Sequence, residues 1–349
     1  QVTRIQNVWP REQLDIANYG YFNDLESYRD AVAWWMSERH GWQVQPEWML
    51  TTGGLGNGIA MALNVLTEPG DHIATFNPVY HEFEAKITKT GRVPMQLPLA
   101  VADGIYQMDF DRYDEMMTGR EKLLLISSPH NPAGRVWTKA ELTQIGEFCQ
   151  RHDLLLISDE IHHDLVFPGH THLPLAVAVP DIQDRLIMMT SASKTFNIAG
   201  TRTGTVTIPD DKLRARFKKY ITGLDLSPNL FGILLTRAAY SAQGAVWVDE
   251  LVPYLDANQQ LFNAAMNKIP GVKAMPMQAT YLSWIDFEGT GMDMEQIRAR
   301  VYQDARIAAT WGPTLGKGGE NFLRINIGTT RARVVEAASR IQAAFSDLQ

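Results

Sequence analysis

The chain has a single cysteine, Cys149, in 349 residues. It cannot close an internal disulfide, so a reducing compartment and a cytoplasmic location are the simpler expectation. Leu142, Ile145 and Phe148 precede Cys149 at helical spacing, which favours a buried structural thiol over a nucleophile. No apolar run approaches the ~18 residues that a membrane span needs, and nothing near Gln1 resembles a secretory leader. Basic residues are not in excess. The 32 Lys and Arg against 39 Asp and Glu leave a net charge of −7, no footprint for nucleic acid or an anionic membrane. Repeats and low-complexity linkers are also missing. A hydrophobic content of 45% with 20% charged residues excludes a disordered chain. The length exceeds the usual reach of one hydrophobic core, so two domains or one large one are expected.

What is present is an alternation of strands and helices. Leu25, Tyr28, Val32, Trp35 and Met36 keep a helical rhythm, with Asn23 or Asp24 as cap and Gly41 as stop. The glycine-dense run Thr51–Gly58 leads into a second helical pattern, Ile59, Leu63, Leu66, that ends at Pro69-Gly70. Four short apolar runs read as strands covered on both faces: Ile73–Phe76, Leu123–Ser127, Leu154–Ser158 and Leu186–Thr190. Thr138-Lys139-Ala140-Glu141 has the form of a capping box and opens a helix. The order predicts an α/β fold with a mostly parallel sheet. After about Trp247 a long helix reaches Lys268. Tyr281–Phe287, Ile307–Trp311 and Phe322–Ile327 then read as strands of a smaller α+β domain. The expected division is a large domain over 18–250 and a small one over 251–349, with 1–17 associated with the latter.

Polar clusters follow the strands, and open α/β sheets bind ligands at the carboxyl ends of their strands. Gly53-Gly54-Leu55-Gly56-Asn57-Gly58 lies before a helix, where free amides attract an anion; a purely structural glycine turn is the competing reading. The run has neither the ending of an ATP-binding P-loop nor a clean dinucleotide fingerprint. Ser128-Pro129-His130-Asn131-Pro132-Ala133-Gly134 reads as a turn. Ser158-Asp159-Glu160-Ile161-His162-His163-Asp164 puts acids after a buried strand, where they need a cation or several hydrogen bonds. The adjacent histidines invite a metal, but no matching cysteine or histidine set is visible and none is expected. Finally, Thr190-Ser191-Ala192-Ser193-Lys194-Thr195-Phe196-Asn197 places a lysine among hydroxyls and small residues. Alone, that lysine reads as one that reaches solvent; with Asn131 and Asp159 at earlier strand ends, the balance reverses.

These segments carry a family resemblance. From about Tyr19 to the C-terminus the chain resembles the fold-type I pyridoxal-phosphate enzymes of the aminotransferase class I/II superfamily. It is closer to the cystathionine β-lyase-like, or cysteine-S-conjugate β-lyase, branch. The signposts are Asn77-Pro78-Val79-Tyr80-His81, Ser128 to Pro132, Ser158 to His162, Ser191 to Asn197, Thr280-Tyr281-Leu282-Ser283-Trp284 and Phe322-Leu323-Arg324. The order and spacing are more specific than any one piece.

The resemblance implies pyridoxal 5'-phosphate held by Lys194 as a Schiff base, with Lys194 moving substrate protons once displaced. Asp159 would pair with the pyridine nitrogen, Asn131 would bond the phenolic oxygen with His162 near the same ring edge, and Tyr80 would stack on the ring. The amides of Leu55 and Gly56, with Ser191, Ser193 and Arg202, would hold the phosphate. Tyr21 would reach the phosphate of a neighbouring subunit in a homodimer. Arg324 would bind the carboxylate of a small amino-acid substrate through its planar fork. Two departures qualify this picture. No segment with tryptophan and aspartates precedes Asn18-Tyr19-Gly20-Tyr21, so the chain is expected to begin inside the domain. Arg202, eight positions after Lys194, is prominent in aminotransferases and differs in many lyase relatives. The favoured reaction is carbon–sulfur β-elimination to pyruvate, ammonia and a thiol. The alternatives are amino-group transfer to a 2-oxo acid and a regulatory or binding protein on the same scaffold.

Overall fold

A computed structural model describes residues 25–227 and 229–348. Tyr21, the proposed caps Asn23 and Asp24, and the expectation for residues 1–17 fall outside the described residues.

The strands are β1 (Met49–Thr52), β2 (His72–Asn77), β3 (Val93–Pro98), β4 (Ala100–Ala102), β5 (Ile105–Gln107), β6 (Glu121–Ser127), β7 (Leu155–Asp159), β8 (Leu186–Thr190), β9 (Gly204–Thr207), β10 (Lys273–Ala274), β11 (Leu282–Asp286), β12 (Thr310–Trp311) and β13 (Phe322–Asn326). Seven of them form a sheet in the order β1-β9-β8-β7-β6-β2-β3. Strands β8, β7, β6, β2 and β3 pair in parallel, and β9 runs antiparallel to both its neighbours. Every strand of the sheet but β9 therefore ends at one edge, and β9 begins there. A second, antiparallel sheet of four strands follows in the order β10-β11-β13-β12, and β4 and β5 make a small separate hairpin.

Pleating explains why the central strands are apolar throughout. Leu124, Ile126, Leu156, Leu186 and Met188 enter one core with the helices Leu25–His40 and Lys139–Arg151. Their neighbours Leu123, Leu125, Ile157, Ile187 and Met189 enter the opposite core with the helices Leu55–Leu66, His81–Lys89 and Asp211–Gly223. Successive side chains alternate faces, so a sheet covered by helices on both sides favours apolar residues at both sets of positions. A third core, including Phe262, Phe287, Leu323 and Phe345, joins the second sheet to the helices Ala242–Met266 and Arg331–Ala344. No described helix is long and apolar enough to cross a membrane.

The four expected strands are present within two residues of their anticipated limits, and the capping box is formed: the Thr138 hydroxyl accepts from the Glu141 N–H while Glu141 reaches back to the Thr138 N–H. Cys149 is fully buried, and burial pushes its thiol well up, as a structural cysteine requires. Trp35 and Trp42 are core residues. Other expectations need correction. The second helix starts at Leu55 rather than at Ile59, because Gly54, at φ +90°, turns the chain directly off β1. The run Ile307–Trp311 gives only the two-residue strand β12, and β1, β3 and β9 carry no apolar pattern strong enough to be read beforehand. Strand β3 is a partly exposed edge that ends in proline, while β9 is rich in threonine. Gly204 opens β9 because a Cβ there would meet Leu55 Cδ2 at 2.5 Å; its absence lets the start of helix Leu55–Leu66 lie against the sheet.

Leu156→Ala removes a fully buried side chain between β6 and β8 and is expected to cost about 2–5 kcal/mol. Thr138→Ala removes one cap and is expected to cost about 1 kcal/mol. Urea unfolding monitored by circular dichroism would rank the two, and equal losses would contradict this account of the core.

Candidate active site

Each polar segment singled out in the sequence emerges at the shared strand edge. Gly53-Gly54 follows β1, Pro78 to Tyr80 follow β2, Ser128 to Asn131 follow β6, Asp159 closes β7, and Ser191 to Lys194 follow β8. Arg202 immediately precedes β9, the strand that starts at this edge. The register places Ser127 beside Asp159 and Asp159 beside Met189. Two of the turns contain cis peptide bonds, Asn77–Pro78 and Ser128–Pro129. They are tied together by His130, whose Nε2 lies 3.0 Å from the Pro78 carbonyl. Burial lowers the pKa of that imidazole to about 3, so it is neutral and donates the bond.

Asp159 is buried and its carboxylate accepts one internal hydrogen bond, from the Ile161 N–H at 3.1 Å. Desolvation pushes its pKa up to about 7, against the pull of that N–H and of the Lys194 charge. Lys194 is half-buried. Burial lowers its pKa, Asp159 raises it, and Arg324 lowers it again. His162 is held neutral, with a pKa near 3, first by burial and then by the charges of Lys194 and Arg324. Its Nδ1 is buried and has no hydrogen-bond partner among the described residues. Tyr80, half-buried, lies in the fields of Asp159, Arg324 and Arg202 together, and the Arg324 guanidinium sits 6.0 Å from the centre of its ring. Lysine, aspartate, histidine, tyrosine and both arginines thus occupy one electrostatic neighbourhood.

The residues expected to hold a phosphate form a second group. Leu55 and Gly56 are the first two residues of their helix, whose leading N–H groups have no acceptor within the helix. The Ser191 hydroxyl donates to the Thr203 carbonyl at 2.7 Å and lies 2.7 Å from the Ser193 hydroxyl. Arg202 takes a left-handed conformation, φ +50°, that brings its backbone against Gly54, where a Cβ would lie 3.8 Å away. Gly53, Thr52, Asn57 and Arg202 line a cavity of about 340 Å³ at this end.

Arg324 comes from β13 of the second sheet. One of its nitrogens donates to Asn131 Oδ1 at 2.7 Å and another to the Thr310 hydroxyl at 3.2 Å. The first bond fixes the orientation of the Asn131 amide, with its oxygen toward Arg324 and its nitrogen, the only side-chain donor, turned the other way. Asn131 is further anchored through its N–H to the Ser127 hydroxyl, at 3.3 Å.

Several contributors carried no role in the sequence reading. Tyr281 packs edge-on against His162 with ring centres 5.8 Å apart, and burial raises its pKa to about 12. Thr280, fully buried, adopts φ +72°, an outlying conformation for a β-branched residue; no local sequence signal reports it. Thr310 and Thr203 act through bonds that only the fold creates. The metal expectation also changes in one respect. Beside Asp164 of its own segment, His163 finds a partner from a distant one: His40, His163 and Asp164 bring ligand atoms within 4.8 Å of one another.

The sequence profile of the family described as Aminotransferase class I and II matches residues 5–341. Cystathionine beta-lyase PatB of Bacillus subtilis is 36% identical over 339 residues, 96% of this chain and 87% of that protein. Among solved structures, cystalysin from Treponema denticola, which contains pyridoxal 5'-phosphate, superposes with a TM-score of 0.93 at 33% identity. That superposition covers 99% of this chain and 88% of the other. The pyridoxal-phosphate-bound C-S lyase from Staphylococcus hominis gives 0.89 at 30% identity, with coverage of 98% and 87%.

The raised pKa of Asp159 has a consequence for stability. A carboxyl that titrates near 7 when folded, against 3.8 ordinarily, binds its proton more tightly in the folded chain. It adds stability below the ordinary value and loses it as pH rises through about 7. In the cofactor-free protein, Asp159→Asn is expected to gain thermal stability relative to wild type between pH 5 and pH 8, measured by differential scanning calorimetry. An unchanged difference across that range would show that Asp159 is not desolvated.

Proposed function

The chain belongs to the aminotransferase class I and II family, and from that membership we propose that it is a pyridoxal-phosphate-dependent carbon–sulfur β-lyase. In this reading it converts cystathionine or a related cysteine S-conjugate to pyruvate, ammonia and a thiol. The cofactor part rests on one observation, the convergence of Lys194, Asp159 and Arg324 at the end of the parallel sheet. The reaction part rests on the 36% identity to a cystathionine beta-lyase across nearly the whole chain.

The donor set fits a pyridine ring bearing a phosphate. Asp159 is a buried carboxylate with one internal donor, a deficit that a protonated ring nitrogen would fill. His162 Nδ1 is a buried polar atom without a partner, suited to a ring edge. The Leu55 and Gly56 amides, the Ser191 and Ser193 hydroxyls and Arg202 supply neutral and cationic donors for a phosphate. When bound, pyridoxal phosphate supplies an aldehyde that condenses with amines and a ring that accepts an electron pair.

The protein's own groups have distinct tasks in this reading. Asp159 keeps a proton on the ring nitrogen. Asn131 donates from its Nδ2 to the phenolic oxygen, with the amide oriented by the Arg324 bond to its Oδ1. Tyr80 covers the ring face. Arg324, oriented by Asn131 and Thr310, binds the substrate α-carboxylate. The Lys194 amine takes the α-proton; burial and the Arg324 charge favour the neutral amine that this step needs. Departure of the β-sulfur then gives pyruvate after hydrolysis, without any 2-oxo acid as acceptor. The reading extends to a homodimer with Tyr21 of the partner subunit at the phosphate.

Incubation with L-cystathionine is expected to yield pyruvate with no added 2-oxo acid. Amino-group transfer to a 2-oxo acid without pyruvate would assign the chain as an aminotransferase instead. Lys194→Ala is expected to lower turnover by about 10²–10⁴-fold and to abolish the near-visible absorbance of the lysine-bound cofactor; an unaltered spectrum would overturn the lysine assignment. Arg324→Ala removes charge-assisted hydrogen bonds worth about 1.5–3 kcal/mol each. Its kcat/KM is expected to fall by at least about tenfold, ~1.4 kcal/mol per decade, with the absorbance retained.

A further inference from the structure

Beside the lysine-bearing turn, joined to it by the Asp164–Thr195 hydrogen bond, lies a histidine cluster to which the proposed reaction gives no task. Its residues come from three separate places: His40 from the last turn of the helix Leu25–His40, His163 and Asp164 from the turn after β7, and Thr195 from the residue following Lys194. His40 Nε2 is 2.9 Å from Asp164 Oδ1 and His163 Nε2 is 3.3 Å from Asp164 Oδ2. The two imidazole rings meet edge to face with centres 4.7 Å apart. Together with His172 they form part of the wall of a cavity of about 410 Å³ that opens to solvent.

The orientation of His163 is what this cluster leaves unexplained. Its Nδ1 lies against the Glu160 backbone carbonyl, which can only accept, so Nδ1 carries the proton of the neutral ring. Nε2 then presents a lone pair. That atom is fully buried, has no hydrogen-bond partner among the described residues, and lies 3.3 Å from the Asp164 carboxylate. Two acceptors face each other in a site of low exposure, an arrangement that a cation between them resolves.

We propose that His40, His163 and Asp164 form a binding site for a divalent transition metal, with zinc as the best match and water from the cavity as fourth ligand. Zinc takes imidazole nitrogen at about 2.0–2.1 Å and carboxylate oxygen at about 2.0–2.2 Å, so neighbouring ligand atoms on a tetrahedral ion stand about 3.4 Å apart. Both histidine–carboxylate separations, 2.9 and 3.3 Å, lie close to that edge, and the widest pair in the cluster is within 4.8 Å. Two nitrogens and one oxygen suit zinc and its late first-row neighbours, whereas magnesium and calcium prefer oxygen sets. The surrounding groups have the form of an outer shell that orients metal ligands. Glu160 fixes the His163 ring through its carbonyl, and Asp164 accepts from the Trp35 indole at 2.9 Å and from the Thr195 hydroxyl at 2.9 Å. The ion would pin the helix Leu25–His40 to the turn after β7. Through the Asp164–Thr195 bond it would also brace the turn that carries Lys194.

The test is metal stoichiometry on the holoenzyme, independent of turnover. Wild-type protein, stripped with a chelator, incubated with excess zinc chloride and desalted, is expected to retain about one zinc per chain by mass spectrometry of the metal. Its unfolding temperature is expected to rise with free zinc, as mass action requires of an ion that binds the folded state. His40→Gln and His163→Asn are each expected to weaken retention about a hundredfold or more, by loss of one of three protein ligands. His40→Gln alters a residue at the cavity wall, so it decides the matter even if His163→Asn does not fold. Wild-type protein that retains no zinc would overturn the site and leave a protonated His163 as the partner of Asp164. Equal retention by wild type and His40→Gln would overturn it too, by placing the ion elsewhere.

Discussion

Burying the Asp159 carboxylate at the end of β7 is the constraint to which the surrounding site answers. A charge taken out of water needs compensation, and the fold provides only part of it: one backbone N–H and the field of a half-buried lysine. The remaining deficit pushes the acid toward the neutral form. In the proposed reading, a ligand that brings its own proton on nitrogen makes up that deficit. Lys194 experiences the same dry environment with the opposite consequence, since burial favours the uncharged amine. One environment therefore prepares both a hydrogen-bonding acid and a usable base.

The parallel sheet makes this convergence possible. Helices cover both faces, so the interiors of the central strands are mostly apolar and the charged groups gather at the strand ends. Five of the seven strands deliver a functional turn to the same edge, and β9, the one reversed strand, delivers Arg202 there from its start. The second sheet adds what the first cannot. Arg324 crosses from β13 to hold Asn131, and Tyr281 closes against His162. Arg324 of the second sheet is thereby placed relative to Asn131, in the turn after β6, through a single hydrogen bond.

Legibility from sequence varied with the physical origin of each feature. The strands β2, β6, β7 and β8 were readable because double-sided burial imposes an unbroken apolar run. The capping box at Thr138 was readable because its donors and acceptors lie within four residues. Edge strand β3 and threonine-rich β9 were not, since partial exposure and packing against the start of one helix dilute the pattern. The positive φ of Thr280 and the Arg324–Thr310 bond had no local signature at all, as both result from contacts between distant segments.

Composition and local pattern sufficed for the α/β class, the buried thiol and the ends of the central strands, while Lys194, Asp159, Asn131 and Arg324 came forward as candidates by family resemblance. These depend on periodicity and on motifs in which the informative residues are neighbours in the chain. The long-range assembly alone established that Asn131 spends its carbonyl oxygen on Arg324, that Tyr281 stands beside His162, and that His40 meets His163 and Asp164. His40 and His163 are separated by more than a hundred residues. No spacing rule connects them, because their approach is set by how a helix packs on a sheet.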